Sequence, residues 1–147
     1  MTLLFVYGTL RDPAVRAFVL GRALPAGAVS PARARGFRAV TLPGRSYPAL
    51  VAGPGDAEGD LLCGLSAADL ARLDRFEGDE YVRRPLEVIG PDGALIAEAY
   101  WPAFEVSPDA PPWRLEEWTS RHKAAFLAAE VASPEGPKRN LSHPPSR

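Results

Sequence analysis

The sequence is poor in the residues that build disulfides and metal centres. It contains a single cysteine, Cys63, and two histidines, His122 and His143. One cysteine excludes an internal disulfide and a multi-cysteine metal site, and this usage fits a reducing compartment. Two histidines without further cysteines also exclude the usual zinc ligand sets. No Ser-His or Cys-His pair stands in a context typical of nucleophilic catalysis.

Long apolar runs and an excess of one charge sign are absent as well. No stretch approaches the roughly 20 consecutive apolar residues that a membrane span requires. The apolar segment 3–6 lacks the basic leader and cleavage site of a signal peptide. The 17 basic and 18 acidic residues nearly balance, which gives no electrostatic reason to bind nucleic acid or an anionic membrane. We therefore expect a cytoplasmic protein that binds neither.

The composition is that of one globular domain. The 147 residues are 46% apolar and 24% charged, enough to bury a core. The 13 glycines and 16 prolines demand many turns, which argues against a helical bundle. We expect the domain to span residues 1–130, and the polar segment 131–147, rich in proline and glycine, to be a flexible tail.

The first half of the chain predicts strands with one helix between them. Thr2–Tyr7 is an apolar, β-favouring run, typical of a strand buried on both faces. Asp12 followed by Pro13 indicates an N-cap and the first position of a helix. The 53–59 stretch is predicted to be a turn. The remaining predicted strands are 34–42, 47–51 and 61–65.

The second half predicts a helix, a hairpin and a last helix. Ser66 and Asp69 have the spacing of a capping box, so a helix is expected over about 67–76, ending at Gly78. Pro91-Asp92-Gly93 predicts an antiparallel hairpin. Its strands are 81–89 and 94–101. A loop over 104–112 precedes a helix over 113–130, whose expected buried side is Leu115, Trp118, Ala125, Phe126 and Ala129.

The segment Tyr7-Gly8-Thr9-Leu10 is the first candidate for a binding site. Loops after central strands present successive backbone N–H groups, and Gly8 lets a ligand approach the backbone closely. Such a loop can hold a carboxylate or an oxyanion. An ordinary strand-to-helix turn explains the same pattern.

Glu77 is the second candidate, because a carboxylate at a helix C-terminus faces the negative end of the macrodipole. If its side chain also enters an apolar pocket, both effects push its pKa upward, as a general base requires. The alternative is a solvated glutamate paired with Arg75 or Arg83. The neighbouring acids are expected to be uninvolved. Asp74 is predicted to point elsewhere, Asp79 and Glu80 to be solvated, and Glu87 and Glu98 to face solvent.

Several motifs together resemble the gamma-glutamylcyclotransferase-like superfamily, nearest to its branch of plant avirulence-induced-gene-like proteins and gamma-glutamylamine cyclotransferases. They occur in order over about residues 3–101. These motifs are Phe5-Val-Tyr-Gly-Thr-Leu-Arg11, Tyr47-Pro-Ala-Leu50, Gly64-Leu65-Ser66 and Leu73-Asp74-x-x-Glu77-Gly78-x-x-Tyr81-x-Arg83.

The resemblance implies a fold and an active site. The expected fold is α+β, a small mixed, partly closed β-barrel with flanking helices around one cavity. Glu77 matches the family's catalytic glutamate, and the loop of Tyr7, Gly8, Thr9 and Leu10 would bind substrate. No metal or cofactor is implied.

The resemblance implies an intramolecular acyl transfer, the reaction of a cyclising transferase or lyase. The α-amine of a γ-glutamyl compound attacks its own γ-carbonyl, releasing 5-oxoproline and a free amine, with Glu77 as general acid and base. Three tyrosines, Tyr47, Tyr81 and Tyr100, are candidates to line the cavity, and a place in the core or at the rim is the alternative for each. Arg83 is a candidate to orient Glu77 or a substrate carboxylate.

Two other functions use the same features. One is a non-catalytic module that binds a small amino-acid-like ligand, and the other is a related elimination or acyl transfer. The γ-glutamyl substrate and the oligomeric state stay open at this point.

Overall fold

The computed structural model describes residues 2–131, so the predicted tail lies, apart from its first residue, outside the described residues. The strands are β1 (Leu4–Val6), β2 (Val29–Thr41), β3 (Pro48–Leu62), β4 (Tyr81–Gly90) and β5 (Gly93–Pro102). The helices are α1 (Pro13–Leu20), α2 (Ala67–Glu77), α3 (Leu115–Arg121) and α4 (Lys123–Val131). Between residues 2 and 131, no helix is long and apolar enough to cross a membrane.

The five strands close into a ring in the order β1-β3-β2-β4-β5. Most neighbours are antiparallel, and the ring closes where β1 runs parallel to β5, with Leu4 opposite Glu98. The seam between β2 and β4 pairs Arg33 with Ile89. The predicted α+β fold with flanking helices is thus confirmed, and the ring is closed where partial closure was expected.

The strands of the first half are longer and fewer than predicted. Two strands, β2 and β3, form one long hairpin with an irregularity between Arg35 and Phe37, in place of three short strands. The 53–59 stretch, predicted to be a turn, lies inside β3. Gly59 is required there, because a Cβ would stand 2.2 Å from the carbonyl oxygen of Val6 on the neighbouring strand. Gly59 thus allows β1 and β3 to approach closely.

Strand β1 is buried on both faces, as its apolar run predicted. Phe5 points into an apolar cluster inside the ring, whereas Leu4 and Val6 belong to a second cluster between ring and helices. The cluster inside the ring comprises Phe5, Tyr7, Ala34, Leu50, Ala57, Leu61, Leu86, Val88, Ala97 and Ala99. Because β1 belongs to both clusters, it fixes the loop that follows it firmly.

The first two helices begin where the sequence predicts. The Asp12 carboxylate accepts hydrogen bonds from the backbone N–H groups of Ala14 and Val15, at 2.9 and 3.1 Å. Ser66 and Asp69 form a reciprocal capping box at the start of α2. The predicted capping box of α2 is confirmed, and the helix ends at Glu77, one residue later than predicted.

The predicted last helix is wrong in two respects. It is broken at His122 into α3 and α4, and the exposed Ala125 and Ala129 do not belong to its buried side. Trp118 and Phe126 are buried and pack against each other, with ring centroids 5.6 Å apart. The preceding loop lies along β2, where Val40 bridges to Pro112.

Candidate active site

A small, half-open cavity lies where β1 ends, beside the C-terminus of α2. The volume of the cavity together with its open mouth is about 290 Å³. Its wall includes the chain segment of residues 7–10, Glu77 from α2 and Tyr100 from β5. The lining residues are Phe5, Val6, Tyr7, Gly8, Thr9, Leu10, Pro48, Glu77, Tyr81 and Tyr100.

The loop after β1 turns at once into a single 3₁₀ turn over Thr9–Arg11. The N–H of Arg11 donates to the carbonyl of Gly8 at 3.0 Å. The first N–H groups of such a turn have no acceptor inside it, so they are available to a ligand or water. The side chain of Thr9 is only 1% exposed, and its hydroxyl has no hydrogen-bond partner among residues 2–131. The loop therefore offers polar groups that the fold itself does not satisfy.

Gly8 fits the loop tightly against β3. A Cβ at this position would stand 2.9 Å from Cγ and 3.0 Å from Cδ of Pro48. Both residues line the cavity, so a larger side chain here would push the loop or the proline out of place. The sequence does not predict Pro48 as a lining residue, although Pro48 belongs to the Tyr47-Pro-Ala-Leu motif.

Arg16 on α1 supports the loop from behind. Its guanidinium is buried and donates to the carbonyl oxygens of Leu10 and Arg11, at 3.1 Å each. Burial lowers the pKa of this guanidinium, and the charges of Asp60 and Asp12 oppose that effect. A cation therefore lies directly behind the turn, a favourable arrangement for binding an anionic group in front of it.

Glu77 is the last residue of α2 and is only 4% exposed. The chain turns sharply after it, because Gly78 adopts φ 72°, a conformation that favours glycine. A carboxylate at a helix C-terminus does not stabilise the helix. Glu77 lines the same cavity as the Tyr7–Leu10 loop.

Three tyrosines frame the cavity with their hydroxyl groups turned to specific acceptors. Tyr7 donates to the carbonyl of Tyr100 and Tyr81 to the carbonyl of Pro48, both at 2.5 Å. Tyr100 donates to Oδ1 of Asp74 at 2.6 Å. Burial, this hydrogen bond and the charges of Glu77 and Asp74 raise the pKa of Tyr100 above that of an ordinary phenol, against the effect of Arg83. Tyr100 thus stays protonated at neutral pH.

The other predicted binding residues lie outside the cavity wall. Tyr47 is buried in the core, donates its hydroxyl to Glu80, and has its ring centroid 6.3 Å from that of Tyr81. Arg83 contacts Asp74 and Glu98 rather than Glu77. The fold therefore brings together the predicted loop residues, Glu77, Tyr81 and Tyr100.

Two predictions for the neighbouring acids are wrong. Glu80 is not solvated, since Arg45 and Tyr47 donate to its two carboxylate oxygens. Glu98 accepts a hydrogen bond from Arg83 and is only half-exposed. Asp74, as predicted, is not a cavity-lining residue, and it accepts hydrogen bonds from Arg83 and Tyr100. All these partners are remote in sequence, so no local pattern signals them.

The fold and cavity define the class of protein. A closed α+β ring with a glutamate and a glycine-containing loop at one cavity is gamma-glutamylcyclotransferase-like in architecture. The chain belongs to the family described as gamma-glutamyl cyclotransferase, AIG2-like, whose family model matches residues 4–120. That match includes every residue of the cavity wall.

Curated plant proteins are similar to the chain over most of its length. AIG2-like protein A of Arabidopsis thaliana is 32% identical over 127 residues, which are 84% of this chain and 75% of the relative. AIG2-like protein C of the same plant is 38% identical over 130 residues, covering 86% and 74% of the two chains. The names of these relatives state no reaction.

Solved structures share the fold. A solution structure of an Arabidopsis thaliana protein superposes with a TM-score of 0.66 at 31% identity, covering 87% of this chain and 78% of that one. A structure titled gamma-glutamyl cyclotransferase superposes with a TM-score of 0.52 at 20% identity, covering 76% and 70%. The second likeness bears on the fold alone.

Proposed function

We propose that the protein is a gamma-glutamylcyclotransferase, which converts a γ-glutamyl amine, amide or peptide into 5-oxoproline and a free amine. Glu77 is the general acid and base. The observation that carries the proposal is the cavity that Glu77, almost fully buried, lines together with the Tyr7–Leu10 loop. Membership of the family supports the same reaction class.

The proposed reaction needs one group that moves protons and no enzyme nucleophile. The substrate's α-ammonium loses a proton to the Glu77 carboxylate, and the resulting amine attacks the γ-carbonyl carbon. The new C–N bond closes the five-membered lactam, and the bond to the leaving nitrogen breaks. In total, two protons pass from the ammonium to the leaving amine. A single carboxylate that takes and returns protons accomplishes this.

The Tyr7–Leu10 loop supplies the complementary groups. Its first N–H groups and the Thr9 hydroxyl are suited to hold the substrate carboxylate or the oxygen that gains charge during attack. Holding the substrate folded, with amine beside carbonyl, contributes several kcal/mol to such intramolecular reactions. The cation of Arg16 behind the loop favours the same negative charge.

The test is release of 5-oxoproline and amine from a panel of γ-glutamyl amines, amides and dipeptides. We expect at least one to turn over, and Glu77→Gln to lower its rate by about 10²- to 10⁴-fold with an unchanged melting temperature. Glu87→Gln is the matched control, because Glu87 is exposed on β4, and it should keep full activity.

Two outcomes would contradict the proposal. Retained turnover in Glu77→Gln would remove Glu77 from the mechanism. Thermal stabilisation by a γ-glutamyl compound without product from any member of the panel would instead indicate a binding module that uses the same cavity.

A further inference from the structure

The hydroxyl of Tyr100 has a fixed orientation, and the reaction steps above assign it no role. Arg83 donates to both carboxylate oxygens of Asp74, from Nε to Oδ1 at 2.9 Å and from a terminal nitrogen to Oδ2 at 3.1 Å. Burial opposes ionisation, but the hydrogen bonds of Arg83 and Tyr100 lower the pKa of Asp74. Asp74 is thus a carboxylate at neutral pH and can only accept hydrogen bonds. Tyr100 must therefore be the donor in its 2.6 Å bond to Asp74.

A tyrosine that has donated its proton can only accept further hydrogen bonds. Tyr100 lines the cavity together with Glu77, whose charge contributes to the environment of the phenol. We call these two residues the acceptor wall, and residues 7–10 the loop wall. The acceptor wall presents oxygen lone pairs, whereas the loop wall presents N–H donors. A group rich in N–H donors, such as an ammonium or amine, fits the acceptor wall.

We propose that Asp74 is a positioning residue, which fixes the Tyr100 hydroxyl as a second acceptor for the substrate's α-amine. The inference rests on the proposed function and deepens it. With one N–H held by Tyr100 while Glu77 removes a proton, the nitrogen lone pair is directed at the γ-carbonyl. Asp74 acts only through Tyr100 and does not touch the substrate.

The exposure of Asp74 argues against a purely structural purpose. Its side chain is 44% exposed, and exposed ion pairs contribute little to the stability of a fold. Tyr100, by contrast, is buried. A surface carboxylate that reaches a buried cavity tyrosine serves the orientation of that tyrosine better than it serves stability.

The experiment compares two unreactive ligands that differ only in the α-amine. They are 2-amino-3-ureidopropionate, in which a urea replaces the γ-amide of glutamine and resists attack, and 3-ureidopropionate. Calorimetry measures both affinities for the wild type, Asp74→Ala, Tyr100→Phe and the double variant. Asp56→Ala is the matched control, since Asp56 is comparably exposed and also paired with an arginine, Arg33, at 3.1 Å.

We expect the wild type to prefer the amine-bearing ligand. Asp74→Ala and Tyr100→Phe should each weaken that ligand about tenfold and leave 3-ureidopropionate unchanged, the size expected for one hydrogen bond to a charged group. The double variant should bind no more weakly than Tyr100→Phe, because Asp74 acts only through the tyrosine. Asp56→Ala should match the wild type for both ligands.

Equal weakening of both ligands by Asp74→Ala, or additive losses in the double variant, would overturn the inference. So would a wild type without preference for the amine. If Asp74→Ala fails to fold, Tyr100→Phe with the ligand pair still decides the matter, and an unchanged preference overturns the inference. Because the ligands do not react, the result is independent of turnover. A wild type that shows the preference and the coupling but releases no 5-oxoproline would refute the proposed function alone.

Discussion

The two walls of the cavity are built from different parts of the chain. The loop wall uses backbone N–H groups at the start of a 3₁₀ turn, whereas the acceptor wall uses the side chains of Glu77 and Tyr100. A backbone wall tolerates changes of side chain but is lost when the chain is displaced. A side-chain wall depends on the identity of each residue and is less sensitive to small movements of the backbone. The two walls should therefore fail in different ways.

Gly8→Ala should disrupt the loop wall and lower activity more than any other change to that wall. The new methyl group would stand 2.9 Å from Cγ of Pro48, so the loop must shift. A displacement of this kind costs about a hundredfold in turnover and about 1–3 kcal/mol of stability. Steady-state kinetics and urea unfolding measure the two effects.

Gly27→Ala is the matched control, since nothing lies within 4 Å of its Cβ position. It should leave kcat/KM unchanged. A Gly8→Ala variant with wild-type kinetics would mean that the loop position is not critical.

Arg16→Met should loosen the loop wall from behind. The substitution leaves the carbonyls of Leu10 and Arg11 without their donor and removes the cation beneath the turn. We expect a loss of about 1.5–3 kcal/mol in urea unfolding and a raised KM. Arg72→Met is the comparison, because exposed Arg72 donates to one remote carbonyl, that of Leu20, at 2.9 Å. An equal KM change in both variants would contradict the assignment of Arg16.

Ser66→Ala should weaken the helix that carries Glu77 without disturbing the acceptor wall. It removes one half of the capping box, at the opposite end of α2 from Glu77. We expect a loss of about 1 kcal/mol in unfolding free energy and an unchanged kcat. A fall in kcat would show that the N-terminus of α2 positions the glutamate.

Acidification should destabilise the protein through Asp69, and we expect this effect to be the smallest of those described. Burial opposes ionisation, but the hydrogen bonds from Ser66 and Arg22 hold the pKa of Asp69 below its usual 3.8. Since the folded pKa lies below the unfolded one, this contribution is present above about pH 4 and is lost as the pH falls through the folded value. Urea midpoints between pH 5 and 2 should fall less steeply for Asp69→Asn than for the wild type. Parallel curves would contradict this.

The sequence predicts those parts of the fold that local signals determine. The caps at Asp12 and Ser66 and the hairpin at Pro91-Asp92-Gly93 involve neighbours within four residues, and the structure confirms them. The glycines of the 53–59 stretch indicate a turn when only their neighbours in sequence are considered. Gly59 instead allows close packing against Val6, which lies on a strand some 50 residues away in sequence. The break at His122 has no glycine or proline to signal it.

The candidate site divides in the same way. The sequence predicts the loop from its own residues, and Glu77 from its place at a helix end and from the family resemblance. The partners of Asp74 and Glu80 come from β4, β5 and the segment before β3, and sequence spacing alone does not bring them together. The orientation of Tyr100 follows from those remote contacts, so only the structure reveals it.

The most direct test of the division between the two walls is a crystal structure with 2-amino-3-ureidopropionate bound. We expect the ligand's α-amine within hydrogen-bond distance of both Glu77 and the Tyr100 oxygen, with the carboxylate or urea oxygen on the N–H groups of the loop wall. A ligand bound with its carboxylate toward Glu77, or with its amine in solvent, would contradict this division.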